Sequence, residues 1–215
     1  MRQTIGVAAA ITMIGALFGA PVSEAAFFSF PMALKHQVDR IAFSTPTLPP
    51  MAHTLFCARY RADCENQGGD FRRRNIALTL DRWNELNVIN REVNRDIVPQ
   101  PNMGGVATEQ WIIAPTAGDC NDYAVTKRHA LLARGWPSRA LLLSEVIVPS
   151  GEHHLVLLVR TKDVDLVLDN LTQSIRPLTL AAHLYRWVRV QSPHNPKYWT
   201  SVTVPGAVRM VSLSN

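Results

Sequence analysis

Three apolar runs, residues 140–148, 153–160 and 165–168, fall within thirty positions of one another. They are joined only by Pro149-Ser150-Gly151-Glu152 and Thr161-Lys162-Asp163-Val164. Each run is nearly continuous in Leu and Val instead of alternating with polar residues, the pattern of strands covered on both faces. Residues 184–190 and 198–204 read as two further strands, separated by a loop over 193–196. Two helices precede them. Over 80–98, Leu80, Trp83, Leu86, Ile89 (or Asn90), Val93 and Ile97 recur at spacings of three and four, and Pro99 and Pro101 stop the run. Over 120–134 the apolar residues Tyr123, Ala124, Val125, Leu131 and Leu132 keep to no single stripe, so burial on more than one side is expected. Gly118 or Asp119 suits its cap, Asp119 and Asp122 the positive end of its dipole, and Gly135 its stop. Helices first and an antiparallel sheet after them give an α+β domain.

The N-terminus reads as an address. Arg2 precedes an apolar run of 16 residues, 5–20, and small residues surround Ser23-Glu24-Ala25. This pattern predicts a signal peptide over 1–25, cleaved near Ala25, and one domain over 26–215. The alternative is an uncleaved anchor, but 16 residues fall short of the roughly 20 needed to span a bilayer. No other stretch is long and apolar enough to span one, so the mature chain is expected to be periplasmic or secreted. Residues 27–75 read as irregular, with Pro31, Pro46, Pro49 and Pro50 as punctuation and a turn over 67–70. Cys57 and Cys64 suit a local disulfide in an oxidising compartment, the alternative being two free thiols. The net charge of +5 and the lack of a Lys/Arg run longer than Arg72-Arg73-Arg74 argue against a nucleic-acid partner.

Three residues carry the chemistry. Cys120 opens a helix, where unsatisfied N–H groups and the dipole favour a thiolate. Its own N–H is half of an oxyanion hole; Gln110 is a candidate for the other donor. If the second hairpin turns near Lys162, position 154 falls opposite 169, 170 or 171, which sets His154 beside Asp169. A carboxylate beside an imidazole fixes its tautomer and supports its protonated form. Pairing of Cys57 with Cys64 leaves Cys120 as the one odd thiol. Each residue alone has an ordinary explanation: inert packing, a core histidine, a turn aspartate. Their joint arrangement as nucleophile, base and orienter argues for catalysis.

Gly118-Asp119-Cys120-Asn121-Asp122-Tyr123-Ala124, Gly151-Glu152-His153-His154-Leu155-Val156 and Asp165-Leu166-Val167-Leu168-Asp169-Asn170-Leu171 resemble the three blocks of the bacterial transglutaminase-like cysteine peptidases. Trp111 resembles the family as well. The family includes periplasmic proteases that clip surface adhesins and release biofilms. The resemblance implies a papain-like or transglutaminase-like core, with the nucleophile helix packed on an antiparallel sheet, and a Cys120, His154, Asp169 triad. Alignment favours His154 over His153, and on a strand the two point to opposite faces. It implies a thiol endopeptidase acting on an exported or surface-attached protein. The alternatives are acyl transfer to an amine on the same triad, or a non-enzymatic adaptor using Trp187, Tyr198 and Trp199. Some relatives are held inactive by an inner-membrane receptor, which the resemblance offers as a partner here.

The resemblance also implies calcium, bound through acidic residues flanking the cysteine. Asp119 matches the family block, which reads Gly-Asp-Cys-Glu-Asp-Tyr, but Asn121 stands where it has Glu. A neutral amide makes a weaker calcium ligand than a carboxylate. The expectation is therefore that no cofactor is required, with calcium at Asp119 and Asn121 the one ion in question. Asp119 and Asp122 otherwise simply cap the helix. Specificity is expected in the loop over 100–117.

Overall fold

The computed structural model describes residues 40–67, 76–105 and 108–204. The leader expected at 1–25 and most of the 67–70 turn lie outside them. Seven strands form one antiparallel sheet: β1 (Ala42–Thr47), β4 (Leu141–Ile147), β5 (His153–Arg160), β6 (Asp165–Leu168), β7 (Arg176–Pro177), β8 (Arg186–Gln191) and β9 (Trp199–Thr203). Their order across the sheet is β1-β9-β8-β4-β5-β6-β7. A separate two-stranded parallel pair joins β2 (Val98–Pro99) to β3 (Ala117–Gly118). The helices are α1 (Met51–Arg59), α2 (Leu80–Asp96), α3 (Cys120–Ala133) and the short α4 (Leu178–Ala181).

The central strands read as continuous apolar runs because both sheet faces are covered. Leu141, Leu143, Leu155, Leu157, Leu166 and Leu168 pack with α2 and α3 residues such as Leu86, Ile89 and Leu131. The alternate residues Leu142, Val146, Val156, Leu158 and Val167 pack on the other side with Leu178, Ala181, Tyr185 and Trp187. This is the period-2 alternation of a pleated strand, with apolar partners on both sides.

Helix α2 starts at Thr79, whose hydroxyl accepts from the Arg82 N–H. It ends at Asp96, two residues before the expected limit, because Val98 and Pro99 pair with Ala117 and Gly118 instead. Leu86, Ile89, Asn90 and Val93 are buried as the stripe requires, but Leu80 is exposed and Trp83 only half-buried. Helix α3 is buried around much of its circumference, including Lys127 and Arg128. Arg128 donates there through Nε to the Leu141 carbonyl and through one terminal nitrogen to the Asp63 carbonyl, while its other terminal nitrogen is buried without a partner.

The irregular reading of 27–75 needs correction. Met51–Arg59 is a helix beginning directly after Pro49-Pro50, and Arg61–Cys64 is a 3₁₀ turn. Proline there sets the entry to a helix. Ala42–Thr47 is a strand that admits Pro46 because it lies at the sheet edge, with a shift in register between Phe43 and Pro46. Cys57 and Cys64 form the disulfide. The aromatic partner surface also needs correction: Trp187 and Trp199 are buried, and of the three only Tyr198 is exposed. Among the described residues no helix is long and apolar enough to cross a membrane.

Candidate active site

Helix α3 is fixed at its first turn. Asp119 caps it, accepting from the Asn121 N–H at 2.9 Å, and Asp122 returns the favour by accepting from the Asp119 N–H at 3.1 Å. This is a capping box with Asp in place of the usual Glu. Asp122 also accepts from the Ile112 N–H at 2.7 Å. Burial pushes its carboxyl up to about 6, against those hydrogen bonds. Gly118 is demanded by this packing. A Cβ there would lie 2.2 Å from Asp122 Oδ2 and 2.8 Å from Asp122 Cβ.

Cys120, at the first helical position, is half-buried and is the one free cysteine among the described residues. Across from it stands His154 on β5. Leu157 pairs with Leu168 and Leu158 with Val167. Continued past the end of β6, that register sets His154 level with Leu171, within the expected 169–171 span. His154 donates through Nε2 to Asp169 Oδ1 at 2.8 Å and hydrogen-bonds Cys120. The ring has only two nitrogens, so Nδ1 is the one left for the thiol. Sequence reading and structure thus bring the same three residues together.

Asp169 is held from several directions. The Tyr185 hydroxyl donates to its Oδ2, the Leu171 N–H to its Oδ1 at 3.0 Å, and Asn94 Nδ2 to its backbone carbonyl at 2.9 Å. Burial pushes the Asp169 carboxyl up, but the hydrogen bond and charge of His154, then Tyr185 and the Leu171 N–H, bring it down to about 2. Burial likewise opposes the His154 imidazolium, yet Asp169 and Cys120 outweigh it and raise His154 to about 9. Burial and the Asp169 carboxylate both push the Tyr185 phenol up, which keeps it a donor.

His153 has a different partner. It pairs with Glu145, which also binds Arg189, and its side chain is mostly exposed. A register shift between Glu145 and Val146 on β4 sets Glu145 opposite Arg189 on β8. Arg189 in turn donates to the Leu48 carbonyl at 2.6 Å. These side chains and Cys120 border a cleft of about 690 Å³, walled also by Trp111, Tyr123 and Leu171.

Gln110, expected as a second oxyanion donor, borders a neighbouring cavity of about 320 Å³ that shares Gly118 and Asp119 with the cleft at Cys120. Gln100, from the expected specificity loop, borders both. Sequence reading missed Tyr185, Asn94 and Glu109. Tyr185 falls within the strand expected over 184–190 and Asn94 within the helix expected over 80–98, with nothing in either position to mark it. Glu109 carried no signal, yet its Oε1 accepts from both Trp111 Nε1 at 2.8 Å and Asn121 Nδ2 at 2.7 Å.

A family model described as bacterial transglutaminase-like cysteine proteinase matches residues 43–206. Among curated proteins, none matches significantly. Among solved structures, this chain is similar to LapG of Legionella pneumophila, with 23% identity over 50% of this chain and 64% of that one, and a TM-score of 0.43. For calcium-bound LapG the identity is 21%, over 62% and 74% of the two chains, with a TM-score of 0.47. For the EGTA-treated form the values are 23%, 50%, 62% and 0.43. The chain therefore aligns with just under two thirds of the length of the first of these structures.

Proposed function

The chain belongs to the bacterial transglutaminase-like cysteine proteinases, and from that membership we propose that it is a thiol endopeptidase in which Cys120 attacks, His154 moves the proton and Asp169 orients His154. The observation that carries this reading is the continuous hydrogen-bonded run from Tyr185 through Asp169 and His154 to Cys120, opening on the cleft.

Asp169 accepts a hydrogen bond from Nε2–H, so neutral His154 offers its Nδ1 lone pair to the Cys120 thiol. Proton transfer gives a thiolate beside an imidazolium, and the helix N-terminus favours the thiolate. The sulfur attacks the scissile carbonyl carbon, and the oxyanion meets the Cys120 N–H, a donor the helix does not consume. Collapse breaks the C–N bond as His154 protonates the leaving amine. A water that gives its proton to His154 then attacks the thioester, releasing the carboxylic acid and restoring the thiol.

Hydrogen bonds already engage several of the oxygens beside Cys120 that a calcium ion would take. Asp119 Oδ1 is committed to the Asn121 N–H, both Asp122 oxygens to backbone N–H groups, and Asn121 turns its amide NH₂ toward Glu109. Among the described residues, the only convergent set of His, Cys, Asp or Glu ligand atoms is His53 with Cys57 and Cys64, whose sulfurs are bonded to each other. The proposed reaction routes no step through a metal.

The leader pattern at 1–25 and the Cys57–Cys64 disulfide support an oxidising, exported location for the domain over 26–215. The proposed substrate is an exported or surface-attached protein. The test is to incubate the protein, and a Cys120→Ala variant, with a mixture of exported and surface proteins, reading new N-termini by mass spectrometry. New termini are expected with the wild type alone. No new termini, or the same set from Cys120→Ala, contradicts the proposal. A primary amine included in the assay separates hydrolysis from acyl transfer by tagging the new C-termini.

A further inference from the structure

Lys127 lies on the nucleophile helix seven residues after Cys120, two turns along the same side. It is fully buried, and its Nζ has no hydrogen-bond partner. An unpaired buried ammonium costs several kcal/mol, so a core position of this kind favours Leu or Met unless the amine has a use. The charge acting on it is that of Asp169. The segment that begins at Asp169 is gripped from α2 by two amides. Asn94 Nδ2 donates to the Asp169 and Thr172 carbonyls at 2.9 and 3.1 Å, and Asn90 Nδ2 to the Gln173 carbonyl at 3.0 Å. The Oδ1 atoms of both amides are buried and unpartnered. The segment that carries the orienting carboxylate is thus held from α2 by two amides with orphan acceptors, while the orphan amine of α3 feels the carboxylate itself.

Resting on the triad assignment above, we propose that Lys127 is a positioning residue: its buried, unpartnered amino group acts on Asp169 from α3, and its protonation sets how fully Asp169 supports His154. A charged Lys127 shares the carboxylate with the imidazolium and weakens the thiolate–imidazolium pair. A neutral Lys127 leaves Asp169 to His154. Burial brings the amine down to about 7, against the pull of Asp169, so the change falls at working pH. The other titratable groups facing Asp169 are His154 and Tyr185, with Cys120 beyond His154 and Arg176 acting on Tyr185. From α2 the groups facing the segment are the neutral Asn90 and Asn94.

Two measurements test this. The first follows the ¹³Cε resonances of the four lysines against pH, in the wild type and in Asp169→Asn. One lysine is expected to titrate near neutrality and to move lower still in Asp169→Asn. Four ordinary titrations, or no movement, overturn the proposal. This reading is independent of catalysis and needs no Lys127 variant to fold. The second compares the rate of Cys120 alkylation by iodoacetamide at pH 6 and pH 8. Lys127→Met should raise the pH 6 rate relative to pH 8 by up to about tenfold, the effect of one pKa unit of coupling. Lys127→Arg, permanently charged, should slow the reaction at pH 8. Folded variants with the wild-type profile overturn the proposal. A wild-type Cys120 with the reactivity of an ordinary thiol would instead overturn the triad assignment, leaving the lysine titration to decide on Lys127.

Discussion

The Asp169 carboxylate accepts hydrogen bonds from His154, the Leu171 N–H and the Tyr185 hydroxyl. Removing one of these donors changes the charge that His154 sees without touching the nucleophile. Tyr185→Phe deletes a hydrogen bond to a buried ion, worth about 1.5–3 kcal/mol. The expected result is a less firmly held Asp169, a fall of about tenfold in kcat/KM, and an apparent His154 pKa above its present value of about 9, because the carboxylate is shared with one donor fewer, read from the pH–rate profile. The adjacent histidines should separate cleanly. His154→Ala is expected to lose about a thousandfold in rate, within the range for removing a general base. His153→Ala, which breaks only the pairing with Glu145, should stay near wild type. Gly118→Ala drives a Cβ into the Asp122 carboxylate and should cost about 2 kcal/mol in urea unfolding.

Helix α3 is the element on which the site depends, and its start was legible in the sequence because every part of the cap is local. Asp119, Asp122 and Gly118 lie within five positions, and each answers to a known end effect of helices. The β5–β6 pairing was legible for a similar reason: a short turn near Lys162 fixes the register over the few residues that separate it from His154. Helix α1 and strand β1 were not. Their prolines speak for irregular chain, and what makes them regular is distant: β1 pairs with β9 near the other end of the chain, and His53 of α1 packs on Trp111 and Trp199. Tyr185 escaped notice because its partner Asp169 is brought close only by the folding of α4 and the turn after it. Local rules thus reach Cys120, His154 and Asp169, while the groups that hold Asp169 come from tertiary packing. At this scale the disulfide closes a span of seven positions at the end of α1. A Cys57→Ser, Cys64→Ser double variant should lose about 2–3 kcal/mol by chain entropy, seen as a lowered urea midpoint, with Cys120 alkylation unchanged.

For the whole molecule, the papain-like arrangement places a charged pair between a helix layer and a sheet, and stability should follow the charge states of that pair. The Asp169 carboxyl lies at about 2, below its unfolded value near 3.9, so its contribution is present above pH 4 and lost as the pH falls toward 2. His154 lies at about 9, above its unfolded value of 6.5. Its contribution is complete below pH 6.5 and is lost as the pH rises through 9. The two titrate as one coupled unit. His154→Gln should therefore flatten the alkaline side of a plot of urea midpoint against pH between 6.5 and 9. Chelation gives a second whole-molecule test. With Asn121 bonded to Glu109 and the Asp119 and Asp122 oxygens committed to N–H groups, EGTA should leave both the melting temperature and the alkylation rate of Cys120 unchanged. A loss restored by added calcium would contradict the metal-free reading.

The central claim is that Cys120 is activated by His154, and the rate of Cys120 alkylation by iodoacetamide against pH tests it most directly. The wild type should alkylate readily at about pH 6 to 7, where its thiolate pairs with the His154 imidazolium, and His154→Ala should lose that reactivity. A wild-type rate across the pH range no faster than that of a free thiol, and unchanged by His154→Ala, would contradict the account.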